Sequence, residues 1–308
     1  MKESIRKMLT ISGVIALLLL VYAVLQSLMA ELCMMGALYL GKQQGVVHGN
    51  IMDIMYVPNV EVLPSVVQRC YYAGMSVGLF LSAVLVLLVI HKSGLFRMRT
   101  SLFRSIQPRP LLLSTALVFT SMWVMNIFVQ WLPLDDLMQD RFAGISRDPL
   151  GALTISVIAP VLEEVMFRGA IQGYLIRRTG KPVASIVAAA LVFGIFHMNP
   201  IQVVFATMFG IVLGWIYYRT GSLMSVIVGH VLNNSIATLT MLTMSHIDEK
   251  AVSNESPAYF VFVLFLILSI VLVRKLNSSL PPVPVPWRES DEPEEAVTEA
   301  VEEGDTVE

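Results

Sequence analysis

The apolar residues of this chain are gathered into long runs, broken by short separators that combine basic residues with Gly or Pro. Runs long enough to cross a bilayer (roughly 17–25 residues) lie at about 9–30, 70–90, 111–132 and 257–273. The stretch 149–244 resolves into four more, at about 150–176, 183–198, 201–218 and 222–244. They are divided by "RRTGKP" (Arg177–Pro182), "MNP" (Met198–Pro200) and "RTGS" (Arg219–Ser222), which have the chemistry of helix ends. The pattern predicts an all-α polytopic membrane protein with about eight transmembrane helices. Three helices with their loops occupy 1–148, four form a core at 149–244, and a last one lies within 245–276. The first run is too long for the apolar part of a signal peptide, and Leu28 is a poor residue for cleavage after Ala30, so it is expected to stay as an anchor. The outer segment 31–68 has room for an interfacial helix. No repeat of solenoid or propeller period is visible.

Composition agrees with the runs. Of 308 residues, 56% are hydrophobic and 14% charged, too little charge to cover a water-soluble surface of this size. Two cysteines, Cys33 and Cys70, supply neither a disulfide framework nor a CxxC metal pair; a single bridge between them is the most they could form. The net charge of −2 conceals a split, because residues 289–308 carry ten acids and no Lys or Arg. The rest holds 21 basic and 23 − 10 = 13 acidic residues, a balance of +8. The acidic stretch follows "LPPVPVPW" (Leu280–Trp287), which cannot continue a helix, so 277–308 is expected to be a disordered cytoplasmic tail. With the N terminus inside, fourteen Lys and Arg fall in inner segments and five (Lys42, Arg69, Arg141, Arg147, Lys250) in outer ones. The excess of positive charge inside orients both termini to the cytoplasm, and an even number of spans fits that.

Ionisable residues within the spans are few, and each costs several kcal/mol there (~2.5–3.5 on insertion scales). All lie in the 149–244 block: Glu163, Glu164, Arg168, His197 and His230, with the amides Asn233 and Asn234. Glu164 and Arg168 are four apart, share a helix face and can pair. Such a pair offsets part of its own desolvation and pins helices together. Glu163 points about 100° away from Glu164 and has no base at i+3 or i+4, so it needs a partner from another helix. His230 and Asn234 share a face, from which Asn233 turns away. Taken singly, His197 could cap a helix end, and His230 with Asn234 could be an interhelical hydrogen bond. Together they put Glu, His, and His plus Asn on three neighbouring helices. Gly169 and Gly173, and Gly210 and Gly214, add small residues at the spacing that lets membrane helices approach closely.

A carboxylate near a histidine can act as general base for water, and a histidine with an amide can donate to an oxyanion. Those are the parts for hydrolysing an amide bond without a nucleophilic serine or cysteine. Glu163, His197 and His230 also make a two-His, one-carboxylate zinc set, so a divalent metal stays open as a cofactor. The stretches "EEVMFR" (Glu163–Arg168), "FGIFH" (Phe193–His197) and "HVLNN" (His230–Asn234) resemble, in order, the EExxxR, FxxxH and HxxxN motifs of the CAAX protease and bacteriocin-processing family. These are intramembrane endopeptidases that include the type II CAAX prenyl proteases. The resemblance covers about 149–244 and departs from no motif position.

The resemblance implies that Glu163 and His197 activate water and that His230 and Asn234 stabilise the oxyanion. It gives Glu164, Arg168 and Phe193 supporting roles. It implies a membrane-embedded or lipid-anchored protein or peptide substrate within the bilayer, no nucleic acid, and residence in a bacterial plasma membrane. Some family members act as scaffolds or immunity proteins, so a non-catalytic membrane protein is the alternative. An ion-coupled transporter is a second alternative, although the polar residues fill one block with no second copy. Depth along the helices puts His197 roughly 10 Å further out than Glu163 and His230 at 1.5 Å per residue, which calls for a short buried hairpin around Asn199–Pro200.

Overall fold

A computed structural model describes residues 2–57, 60–93, 107–244 and 255–280. Residues 281–308, which hold the acidic stretch and most of the expected tail 277–308, and the basic stretch 94–106 lie outside the described residues, while Asn277 and Ser278 still belong to the last helix. Ten helices carry the described chain. They are α1 (Lys2–Gln43), α2 (Ile51–Met55), α3 (Ser65–Ser93), α4 (Pro108–Gln130), α5 (Gln139–Ser146), α6 (Pro149–Thr179), α7 (Pro182–Phe196), α8 (Pro200–Thr220), α9 (Leu223–Met244) and α10 (Glu255–Ser278). No strand occurs among the described residues. Seven of these helices are long and apolar enough to cross a membrane, and the chain is an integral membrane protein.

The fifth apolar run, at about 183–198, forms α7, a helix of 15 residues. At 1.5 Å per residue it is about 22 Å long, short of a hydrocarbon core of roughly 30 Å. The first run was expected to end near residue 30, but α1 continues to Gln43 for 42 residues. Nothing between 30 and 43 stops it, since Gly36 and Gly41 are the only weak helix formers there and neither is followed by Pro. The separators end helices as their chemistry requires. Gly180 and Gly221 take φ +64 after α6 and α8, and prolines open α7 and α8. Asp148 caps α6 by accepting from the Gly151 N–H at 2.9 Å.

The packing places α6 at the centre. It touches α3, α7, α8 and α9, while α4 joins α8, α9 and α10, and α1 lies along α3. One apolar core runs through Leu162, Met166 and Phe167 of α6, Phe193 of α7, Phe209 and Leu213 of α8 and Val226 of α9. A second, smaller one joins Met34 and Leu38 of α1 to Tyr71 and Tyr72 of α3 and Ile145 of α5. Helices α1 and α10 are the least enclosed, and their exposed side chains (Leu17, Leu20, Phe260, Val263) are apolar, as a lipid-facing surface requires. Cys33 and Cys70 are free thiols.

Helix α6 is wound unevenly. Two stretches, Thr154–Ile158 and Glu164–Gln172, are π-helical, with the wider turn that closes hydrogen bonds five residues apart. The first has a local cause. Pro160 cannot donate an N–H, and its ring collides with the carbonyl four residues back in a regular α-helix. The wider turn just before it relieves that contact.

The α1–α3 contact depends on glycine. A Cβ on Gly74 or Gly78 would overlap the backbone of Met34 or of Ala30. Gly78→Val should therefore push the two helices apart and lower the melting temperature in detergent, since overpacking alone costs about 1–3 kcal/mol. Gly36, in the same α1, has nothing within 4 Å, so Gly36→Ala should hold or raise it through helix propensity.

Candidate functional site

Glu164 is fully enclosed, with 0% of its surface exposed, and Arg168 is only 1% exposed. Their pairing is direct: one Arg168 guanidinium nitrogen donates to Glu164 Oε1 at 2.9 Å. The same oxygen accepts a second, shorter bond from His230 Nδ1, at 2.7 Å. Glu164 Oε2 is buried without a partner, so both compensating groups converge on one oxygen. Because a carboxylate oxygen accepts, the proton on this side of the imidazole sits on Nδ1. That leaves His230 Nε2 facing the other glutamate, with Glu163 Oε2 at 3.6 Å. The partner that Glu163 was expected to need from another helix is thus His230 of α9.

Charge explains the grouping. Glu163, Glu164 and Arg168 sum to −1, and a proton on both ring nitrogens of His230 brings the four side chains to zero. A neutral cluster is what a low-dielectric site tolerates. Aromatic rings close round it. The Arg168 guanidinium lies over the Phe193 ring, 4.5 Å from its centre. Phe193 also stands edge-on to His230, with centres 6.0 Å apart, and Phe209 does so at 5.2 Å.

The α8 side supplies backbone acceptors. Arg168 reaches the Gly210 carbonyl at 3.4 Å, and Gln172, one turn on, donates to the Gly214 carbonyl at 2.9 Å. Gly214 lets α6 come that close, and Gly210 lets α7 approach α8 beside it. A Cβ on Gly214 would stand 2.7 Å from Gln172 Oε1, and one on Gly210 would press on Ala190 of α7.

His197 ends α7. Its Nδ1 lies 2.8 Å from the Phe193 carbonyl, which can only accept, so Nδ1 carries the proton and Nε2 keeps its lone pair. Its ring stands edge-on to Phe193 at 4.8 Å, which puts Phe193 against both histidines. Asn199, two residues on, is fully buried, in keeping with a buried hairpin, while Met198 between them is exposed.

Asn234 serves the backbone of α6, donating to the Ile155 carbonyl at 3.1 Å. Five residues beyond Ile155 stands Pro160, which has no N–H to return. Asn234 supplies the missing donor. Asn233, expected to turn away, instead donates to Asn234 Oδ1 at 2.9 Å. Among the described residues no group of three or more His, Cys, Asp or Glu is placed to hold a metal ion. The Nδ1 of each histidine is held, His230 by Glu164 and His197 by the Phe193 carbonyl, which leaves the two Nε2 atoms and Glu163 as the groups that can meet a ligand.

Three groups at the site have no counterpart in the motifs. Tyr22 of α1 is buried and stacks on Phe196 at 4.8 Å. Phe209 flanks His230. Asp136, in the loop before α5, accepts from Asn199 Nδ2 at 2.8 Å. A tyrosine within a long apolar run and an aspartate in a connecting loop carry no periodic or spacing signal.

Fold and site together define an all-α integral membrane protein with a buried carboxylate–imidazole–guanidinium group on its central helices. Residues 146–236 match the family model described as "Type II CAAX prenyl endopeptidase Rce1-like". All three motifs lie inside the matched segment. A relative, "Putative membrane peptidase YdiL" of Bacillus subtilis (strain 168), is 29% identical over 98 residues, 32% of this chain and 40% of the relative. The chain thus spans about 40% of the length of the curated relative it matches. No solved structure matches the chain.

The two donors on Glu164 Oε1 make this residue structural. Glu164→Gln keeps the shape but strands Arg168 without its counter-charge, a loss of about 3–5 kcal/mol for a broken buried pair. Detergent melting curves should show that loss, and Glu164→Gln combined with Arg168→Met should recover part of it.

Proposed function

We propose that the chain is an intramembrane endopeptidase that hydrolyses a peptide bond of a membrane-embedded or lipid-anchored substrate, with residues 149–244 as its catalytic core. The observation that carries this is the 3.6 Å approach of Glu163 to His230 inside a buried group, within the segment that matches a peptidase family. Glu163 is the glutamate of the group that is not paired with the arginine, and its side chain is 16% exposed where that of Glu164 is closed.

In the proposed reaction Glu163 takes a proton from water, and the oxygen attacks the scissile carbonyl carbon. His197, with its Nε2 lone pair, shares the task of orienting that water. The carbonyl oxygen becomes an oxyanion, which the His230 Nε2–H stabilises. Asn234 adds a second donor if its amide turns from the Ile155 carbonyl. Collapse breaks the C–N bond, and Glu163 returns its proton to the leaving amine. Glu164, itself paired with Arg168, accepts from Nδ1 and so favours the doubly protonated His230 whose Nε2–H this needs. The basic-residue distribution supports a placement with both termini on the cytoplasmic face of the membrane.

Glu163→Gln is nearly isosteric and removes one partly buried charge, so the protein should melt at or above the wild-type temperature. Turnover of a lipid-anchored fluorogenic peptide in proteoliposomes should fall to background, because the base is gone. Full turnover by Glu163→Gln would reject the mechanism. A wild-type chain that cleaves no membrane-anchored peptide would favour a non-catalytic role.

A further inference from the structure

The turn between α7 and α8 has the sequence His197-Met198-Asn199-Pro200, and it is held in a way that its own residues do not account for. Met198 adopts φ +50, the left-handed region that non-glycine residues enter only when their surroundings impose it. Asn199 occupies the position where an asparagine ordinarily caps the following helix, yet its side chain makes no such bond to α8. It reaches across the chain instead. Its Nδ2 donates to Asp136 Oδ1 at 2.8 Å, and its Oδ1 accepts from the Leu137 N–H at 3.0 Å. Both ends of a fully buried amide are therefore held by one loop more than sixty residues away. That loop is itself ordered by Asp136, which also accepts from the Met138 N–H at 3.1 Å ahead of α5.

We propose that Asp136 is a positioning residue for His197, acting through Asn199. This rests on the role given to His197 under the proposed function. His197 is the residue at which α7 stops, and its ring is fixed on one side by the Phe193 carbonyl. On the other side the strained Met198 leads directly to the clamped Asn199. If the clamp is released, the strain at Met198 relaxes and the direction of His197 Nε2 changes. Asp136 lies outside the segment that matches the family, and its own side chain is exposed, so its loss threatens the turn more than the fold.

The test compares Asp136→Ala with Asp136→Asn in the purified full-length chain. The asparagine keeps an oxygen that can accept from Asn199 Nδ2, whereas the alanine does not. With Asp136→Ala, kcat should fall roughly ten- to a hundredfold, as misplacing a reacting group does, while KM and the melting temperature stay near wild type. Asp136→Asn should restore most of kcat. A wild-type rate in Asp136→Ala, or an equal fall in Asp136→Asn, would overturn the proposal. The ¹⁵N resonances of His197, assigned by loss in His197→Gln, provide a readout independent of turnover. They should move in Asp136→Ala and return in Asp136→Asn. If the wild-type chain cleaves nothing, the peptidase assignment fails, and the clamp stands or falls on these resonances alone, with unchanged resonances in Asp136→Ala overturning it.

Discussion

A carboxylate enclosed at 0% exposure within a membrane protein has to be compensated, and the compensation of Glu164 organises everything around it. One of its oxygens accepts from Arg168 on its own helix and from His230 on α9. Those two bonds fix three consequences. Arg168 is drawn under the Phe193 ring and toward the Gly210 carbonyl, which ties α6 to α7 and α8. His230 is held with its Nδ1–H on Glu164, which aims its Nε2 at Glu163. The two adjacent glutamates are thereby given different surroundings, one closed and one partly open.

The winding of α6 serves the same end. Prolines within membrane helices leave carbonyls without partners, and such groups must be satisfied by neighbours. Here the proline sits three residues before Glu163, and the carbonyl it orphans is met by Asn234, four residues beyond His230 on α9. The π-helical stretch that carries Glu164, Arg168 and Gln172 faces two glycine carbonyls one turn apart on α8. Irregular backbone is thus placed where partners from α8 and α9 can meet it, and the polar group is built at the same place. Local unwinding of this kind is common at functional sites.

Much of this was legible in the sequence, because membrane helices announce themselves by unbroken apolar length and their rare charges stand out. The Glu164–Arg168 pair followed from spacing, and the isolation of Glu163 followed from helix geometry. That both glutamates share His230 did not, since no spacing rule says which ring nitrogen meets which acid across two helices. The ends of α6, α7 and α8 were readable from Gly180, Pro182, Pro200 and Gly221, whereas α1 ran on past residue 30 because nothing there stops a helix. Asn233 turned toward Asn234 rather than away, because its amide reaches the neighbouring Oδ1. Asp136 and Tyr22 were invisible, the one an acid in a polar loop and the other an aromatic in an apolar run, and only tertiary packing brings them to the site.

The central claim is that Glu164 sets the protonation pattern of His230, and the ¹⁵N spectrum of histidine-labelled protein in detergent tests it most directly. With the His230 signals assigned by their loss in His230→Gln, the account predicts a proton on Nδ1 in a strong hydrogen bond. Its resonance should shift toward that of an ordinary imidazole in Glu164→Gln, where the acceptor has lost its charge. A His230 protonated only at Nε2, or one whose Nδ1 resonance is the same in wild type and Glu164→Gln, would contradict it.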